Sequence, residues 1–148
     1  MVTLLYADTS ALVSAYVADE AAHTEYRELL LEGDSPVVTG ELTRIEFASA
    51  VSAAQRGDRA TTVTRVLDRF DRDCGEEGPV AVLRMDPGVV VPRSRELVLS
   101  HTIRTLDAMH LAAALEQAVP LAAGDDLVMV TRDDRQAAAA RERGLPVR

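Results

Sequence analysis

The sequence predicts an α/β domain built on a central, mainly parallel, twisted sheet. Three observations carry this expectation. Two short apolar runs, residues 2–7 and 127–130, lack polar alternation and read as strands buried on both faces. Segments of helical periodicity, many with a polar start and a glycine stop, fill the chain between them. Strands separated by helices need crossover connections, which make the pairing parallel. The 148 residues suffice for one domain with a real core, so residues 1–148 are read as a single unit. Aromatics are only 3% of the chain, so Ala, Val and Leu must supply most of that core.

Taken in order, residues 2–7 form the first strand, and Asp8-Thr9-Ser10 breaks it with three good helix caps. Leu12, Val13, Tyr16 and Val17 then follow helical spacing. Residues 21–31 continue as a second helix, with Gly33 as its stop. Residues 36–39 are a short strand broken by Gly40. A helix follows from about Thr43 to Arg56, ended by Gly57, and another spans about residues 60–73 with Val63, Val66, Leu67 and Phe70 on one face. Residues 80–85 read as a strand. Pro87 and Pro92 bracket a poorly determined stretch before a helix at 94–100. Residues 105–118 read as one long helix, 120–126 as a turn region, 127–130 as a strand, and 133–143 as a helix ending at Gly144. Pro146-Val147 is a candidate terminal strand.

Composition removes several functions. The single cysteine, Cys74, excludes an internal disulfide framework and a cysteine zinc site, and fits a reducing, cytoplasmic setting. No apolar run approaches the roughly 18 residues of a membrane span. The net charge of −8 argues against a protein that coats nucleic acid nonspecifically. The chain has no lysine, so all 16 basic residues are arginines. A Walker A loop needs Gly-Lys, and receiver or dehalogenase-type phosphotransfer sites pair an end-of-strand Asp with a Lys. None of these can be completed here.

The acids carry the remaining signal. Asp8 ends the first strand. Glu46 lies in Thr43-Arg44-Ile45-Glu46, which matches a capping box, and shares a helix face with Leu42, Ser49, Ala50 and Ala53. Asp107 falls in the first turn of a helix that Thr105 could cap. Asp133 and Asp134 follow the strand at 127–130, and Thr131-x-x-Asp134 again resembles a capping box. Taken singly, each acid reads as a helix-start residue. Together they do not. In a parallel sheet, a helix that follows a strand begins at the carboxyl edge, where ligands bind. Asp8, Glu46 and Asp133 all occupy such junctions, and Asp107 joins them if its loop is suitably placed. Carboxylates gathered at one edge repel one another. A hard divalent cation, Mg²⁺ or Mn²⁺, makes the arrangement sensible.

The segments Tyr6 to Leu12, Glu41 to Glu46, Arg104 to Ala114 and Val130 to Arg135 closely resemble PIN-domain nucleases, in order and from end to end. Among these the chain looks like the VapC-type toxins of bacterial toxin–antitoxin pairs. The resemblance implies a PIN-like three-layer α/β/α fold and a magnesium-dependent endoribonuclease, with Mn²⁺ as a substitute metal. It assigns Asp8, Glu46, Asp107 and Asp133 to a catalytic metal site, with Thr131, Ser10 and Asp134 in support. Asp133 and Asp134 compete for the fourth place, and Thr131 pairs better with Asp133. The number of metal ions stays open. The expected substrate is structured RNA, such as a tRNA or rRNA loop.

An acidic protein that holds RNA needs a local basic patch. Arg44, Arg104, Arg132 and Arg135 lie within a few residues of the proposed acids and are the candidate phosphate contacts, although each one singly also reads as a solvated surface charge. His110, three residues beyond Asp107, reads as a hydrogen-bonded, partly buried histidine ahead of a catalytic base. Tyr16 and Tyr26 read as packing residues ahead of base-stacking ones. The resemblance also implies a homodimer and a cognate antitoxin that covers the toxin; the surplus of apolar residues in the helices at 12–31 and 51–70 fits a groove for it, with internal core packing as the other use. A housekeeping RNA-processing PIN nuclease and a non-catalytic PIN-like binding module are the alternative readings.

Overall fold

The computed structural model describes residues 2–54 and 60–148. Four strands, β1 (Leu4–Ala7), β2 (Val37–Gly40), β3 (Val80–Leu83) and β4 (Leu127–Val130), form one sheet in the order β3-β2-β1-β4. All three pairings are parallel. β1 is central, with Leu5 opposite Val37 on one side and Val128 on the other. Each strand is four residues long; β1, β3 and β4 are wholly or almost wholly apolar in sequence, and β1 and β2 are buried throughout.

The helices divide by the direction in which the chain crosses the sheet. α1 (Thr9–Tyr16) and α2 (His23–Leu30) link β1 to β2, and α3 (Leu42–Ala54) and α4 (Ala60–Asp73) link β2 to β3. These pack on the face presented by Leu5, Ala7, Val37 and Val130. The chain then turns back past β1. α5 (Pro87–Ser100), α6 (Thr105–Ala113) and α7 (Val119–Ala122) precede β4, and α8 (Asp134–Glu142) follows it. Residues from this second group pack on the opposite face, against Leu4, Tyr6, Val38, Leu127 and Met129. A reversal of strand order with right-handed crossovers puts the helices on the other face. The result is a three-layer α/β/α fold with a parallel central sheet.

Several elements differ from their sequence expectation, for local reasons. β1 begins at Leu4, not Val2, and Gly40 closes β2 instead of breaking it. The capping box at Thr43 does not form. α3 starts at Leu42, and the Thr43 hydroxyl lies 2.8 Å from that of Thr39, which donates to the Ala7 carbonyl at 2.7 Å. This buried hydroxyl pair fastens the start of α3 to the end of β1. Arg56 and Gly57, the expected end of that helix, lie outside the described residues. The stretch between Pro87 and Pro92 is helical. Pro87 occupies the first turn of α5, Asp86 caps it by accepting from the Gly88 amide at 3.0 Å, and Pro92 is carried inside the helix.

The long helix expected at 105–118 is two pieces. α6 gives way at Ala114–Ala118 to a π-helical turn, which runs into α7. There the Gln117 side chain donates to the Arg84 carbonyl at 2.7 Å and meets the Asp86 amide at 3.4 Å, tying the turn to the β3–α5 loop. Thr105 does not cap α6, because Arg104 holds the cap position without a side-chain bond. Asp133, not Thr131, caps α8. Val147 makes a single parallel bridge to Met129 in place of a full strand. Among the described residues, no helix is long and apolar enough to cross a membrane.

Candidate functional site

At the carboxyl edge of the sheet, a pocket of about 410 Å³ is lined by Asp8, Glu46, Asp107 and Asp133, together with Thr9, Ser10, His110, Arg104 and Arg132. The pocket opens where the chain reverses around β1, the place at which an open α/β sheet leaves a crevice. Each acid reaches it from a different segment. Asp8 follows β1 and Asp133 follows β4, while Glu46 stands early in α3 and Asp107 in the first turn of α6. Asp134 and Arg135 line a neighbouring pocket shared with Arg104 and Asp133. Arg44 is directed elsewhere and pairs with Asp71 at 3.1 Å. Tyr16 is buried with its ring edge-on to Phe47 and Phe70, which makes it a packing residue.

Asp8 is 2% exposed and heavily bonded. Its Oδ1 accepts from the Ala11 amide at 3.0 Å, capping α1, and from the Ser10 hydroxyl at 2.7 Å. Ser10 Oγ in turn accepts from the Arg132 amide at 3.0 Å. Burial raises the Asp8 pKa, and bonds from Thr131, Ala11 and Ser10 oppose the rise without cancelling it.

Thr131 ties this carboxylate to two other segments of the site. Its Oγ1 is 2.6 Å from Asp8 Oδ2 and 2.8 Å from Gln136 Oε1, and accepts from the Asp133 amide at 3.1 Å. Gln136 cannot turn its amide round, since Nε2 donates to the Asp107 carbonyl at 2.9 Å. A hydroxyl has one proton to give. Thr131 Oγ1 therefore divides its single proton between the Asp8 carboxylate at 2.6 Å and Gln136 Oε1 at 2.8 Å, and is the junction of the set. Thr131→Val keeps the shape and removes this junction, leaving buried partners unpaired. The expected cost is about 1–3 kcal/mol, read from the urea midpoint; an unchanged midpoint would show that the junction carries no stability.

Asp107 and Asp133 share one cation. Arg104 places Nε 3.1 Å from Asp107 Oδ2 and an Nη atom 3.3 Å from Asp133 Oδ2, with its own side chain 76% exposed. Burial raises the Asp107 pKa, Arg104 pulls it down, and the Asp133 charge pushes it up. Glu46 shows the opposite balance. Burial alone would raise it, but the bond and charge of His110, with help from Thr9, hold it below the ordinary glutamate value. Arg132 is drawn to the cleft wall, with an Nη atom 2.7 Å from Ser14 Oγ and 3.1 Å from Glu20 Oε2.

Among the described residues, no three His, Cys, Asp or Glu side chains stand close enough together to hold a metal as they are. The donor chemistry nevertheless fits a hard cation. The converging acids offer carboxylate oxygens, and an arginine already bridges two of them. Sequence alone assigns no role to Thr9, Gln136 or Tyr6, and reads His110 as hydrogen-bonded without naming its partner. Two signals were present: Tyr6 puts a lone hydroxyl into an otherwise aliphatic strand, and His110 and Gln136 each stand three residues beyond a site acid.

The profile of the PIN domain family matches residues 5–142. Comparison with curated proteins gave no match. Among solved structures, VapC20 of Mycobacterium tuberculosis, described as a sarcin–ricin loop cleaving toxin, superposes with a TM-score of 0.68 at 15% identity, covering 91% of this chain and 94% of that one. A toxin–antitoxin complex from Klebsiella pneumoniae gives 0.63 at 15% identity, covering 90% of each chain. VapBC2 from Rickettsia felis, bound to a DNA fragment from its promoter, gives 0.63 at 14% identity, covering 98% and 97%. At these identities the likeness is one of fold.

Proposed function

The chain belongs to the PIN-domain family, and from that premise we propose that it is a metal-dependent endoribonuclease of the toxin type, cutting structured RNA and silenced by a cognate antitoxin. One observation carries the reading: carboxylates from four separate segments reach a single pocket at the carboxyl edge of the sheet. A sheet needs no such gathering for its stability, and like charges held together oppose folding.

In this reading Asp8, Glu46, Asp107 and Asp133 hold Mg²⁺, with Mn²⁺ as substitute. The bound ion would polarise the phosphodiester and supply a nucleophilic water at neutral pH. The protein's own groups do the placing. Ser10, Thr131 and the Ala11 amide fix the Asp8 carboxylate. The Gln136 amide fixes Asp133 through Oδ1 at 2.8 Å, leaving Oδ2 toward Arg104. Arg104 is mostly exposed and its hold on the two acids is a solvent-screened surface ion pair, which is weak. It is thus free to turn to a backbone phosphate when the acids are otherwise engaged, and Arg135 stands in the adjoining pocket for the same purpose.

A second pocket supports the partner in this proposal. Tyr16, Val17, Val51, Ala54, Val63 and Val66 line an apolar groove of about 350 Å³ between α1, α3 and α4. Such a groove suits an amphipathic antitoxin helix. A homodimer belongs to the same reading, and the exposed Val91, Val98 and Leu99 of α5 would suit a contact between copies.

The deciding experiment is cleavage of total RNA by the purified chain. Fragments at discrete sites are expected with millimolar Mg²⁺ or Mn²⁺ and none with excess EDTA. Intact RNA in both conditions, or equal cleavage in both, would overturn the proposal.

A further inference from the structure

Glu46 is not held by its own helix. Its Oε1 accepts from the Thr9 hydroxyl at 3.0 Å and lies 2.6 Å from His110 Nε2, so two donors from two other helices converge on one oxygen. A carboxylate accepts, so the proton between them belongs to Nε2. His110 is only 3% exposed, and its Nδ1 is 3.0 Å from the hydroxyl of Tyr6, which is fully buried. The ring is thereby bonded at both nitrogens, to the Tyr6 hydroxyl at Nδ1 and to Glu46 at Nε2. The line Tyr6–His110–Glu46 joins β1, α6 and α3; Asp8 directly follows the first of these and Asp107 lies in the second.

The surroundings are shaped for this line. At Gly40, beside Tyr6 in β2, a Cβ would stand 3.0 Å from the Tyr6 hydroxyl oxygen and 3.9 Å from His110 Nδ1. That is tighter than an ordinary contact, so the absence of a side chain at residue 40 leaves the hydroxyl its place. A buried Tyr and a buried His would each lose little as Phe and Leu if packing were their only task. A charge-assisted bond aimed at a carboxylate that lines the pocket needs another reason.

We propose that His110, backed by Tyr6, is a positioning residue that fixes the Glu46 carboxylate for metal binding. Glu46 has three side-chain torsions. The bonds from Thr9 and His110 both fall on Oε1 and so settle its rotamer without using Oε2. The same device is general for metal sites, where an outer partner orients the ligand and its loss lowers affinity by about 10–100-fold. The inference rests on the metal-site reading given above.

The test compares His110→Leu, His110→Gln and Tyr6→Phe with wild type at one fixed pH. Mn²⁺ affinity is read from the free-ion electron paramagnetic resonance signal, alongside kcat and KM for RNA cleavage. Leu removes the donor, and Mn²⁺ affinity should fall about 10–100-fold, with kcat falling and KM for RNA little changed. Gln restores an N–H toward Glu46 and should recover at least a tenfold share of that loss. Tyr6→Phe keeps the ring and should weaken Mn²⁺ binding a few-fold. Wild-type Mn²⁺ affinity in His110→Leu, or equal loss in the Leu and Gln variants, would overturn the inference. Should His110→Leu fail to give a cooperative melt, Tyr6→Phe decides, and unchanged affinity there overturns it. A wild type that binds no Mn²⁺ defeats the metal-site reading itself, a result distinct from a metal-binding wild type with indifferent variants.

Discussion

Asp107→Asn is expected to lower metal-dependent RNA cleavage by at least about a hundredfold, beyond the range for outer partners of a metal, while the metal-free protein stays folded. Three terms set its stability without metal. The variant loses the Arg104 pair, whose arginine is 76% exposed, and a charge on such an exposed partner is worth little. It loses a favourable charge in the first turn of α6, about 0.3–1 kcal/mol. It gains relief from burying a charge, the main cause of the raised Asp107 pKa, and from the neighbouring Asp133 charge. These terms oppose one another, so the net change should stay within about 1 kcal/mol. With metal the two proteins separate. Wild type should gain about 2.7 kcal/mol at a hundred times the dissociation constant, and the variant much less. Thermal melts with EDTA and with Mg²⁺, paired with cleavage rates, read both effects. A wild type indifferent to metal, or a variant that cuts at the normal rate, would leave Asp107 as a helix-start residue only.

Phe47→Ala should produce the largest loss of stability, about 3–5 kcal/mol. The chain has two phenylalanines, and they stack on each other with ring centroids 3.9 Å apart, while Tyr16 meets both edge-on at 5.5 and 5.4 Å. These rings join α1, α3 and α4, in a core otherwise built from aliphatic residues. Against a typical total of about 5–15 kcal/mol, such a loss brings the protein near its threshold. Urea denaturation should show a lower midpoint at an unchanged slope. A shift under about 1 kcal/mol would mean that neighbouring side chains fill the space, well short of the usual cost. Any effect on cleavage should follow the unfolded fraction, because Phe47 points into the core and its neighbour Glu46 faces the pocket.

The strands and most helices could be read from residue pattern because each follows one dominant signal. The run at 127–130 is apolar and short, and forms β4 with those bounds. The family pattern likewise brought Asp8, Glu46, Asp107 and Asp133 to one pocket. Capping boxes fail where another bond takes the hydroxyl that would close them. Thr43 turns to Thr39, and Thr131 reaches across the sheet to Asp8, so neither closes the box its spacing suggests. Pro92 misled for the converse reason, since helix packing on both sides of it overrides its own preference. The π-helical turn at 114–118 has no periodic signature, and the bonds of Gln117 that accompany it belong to a loop distant in sequence. Arg44 sits near Glu46 along the chain and is directed away from it by Asp71, a three-dimensional fact with no local cue.

The position of β1 has a consequence for how the protein is made. β1 takes one neighbour from β2 early in the chain, but its other neighbour is β4, and the Thr131 hydroxyl that meets Asp8 is 123 positions further along. At ordinary rates of synthesis that interval lasts on the order of ten seconds. Throughout it the nascent chain carries Asp8 on an open sheet edge, with neither Thr131 nor Asp133 to complete the pocket. Fragments released early have the same defect. The ribosome is itself made largely of RNA, and under the proposed ribonuclease activity this strand order withholds the last wall of the cleft until residues 131–133 have been added.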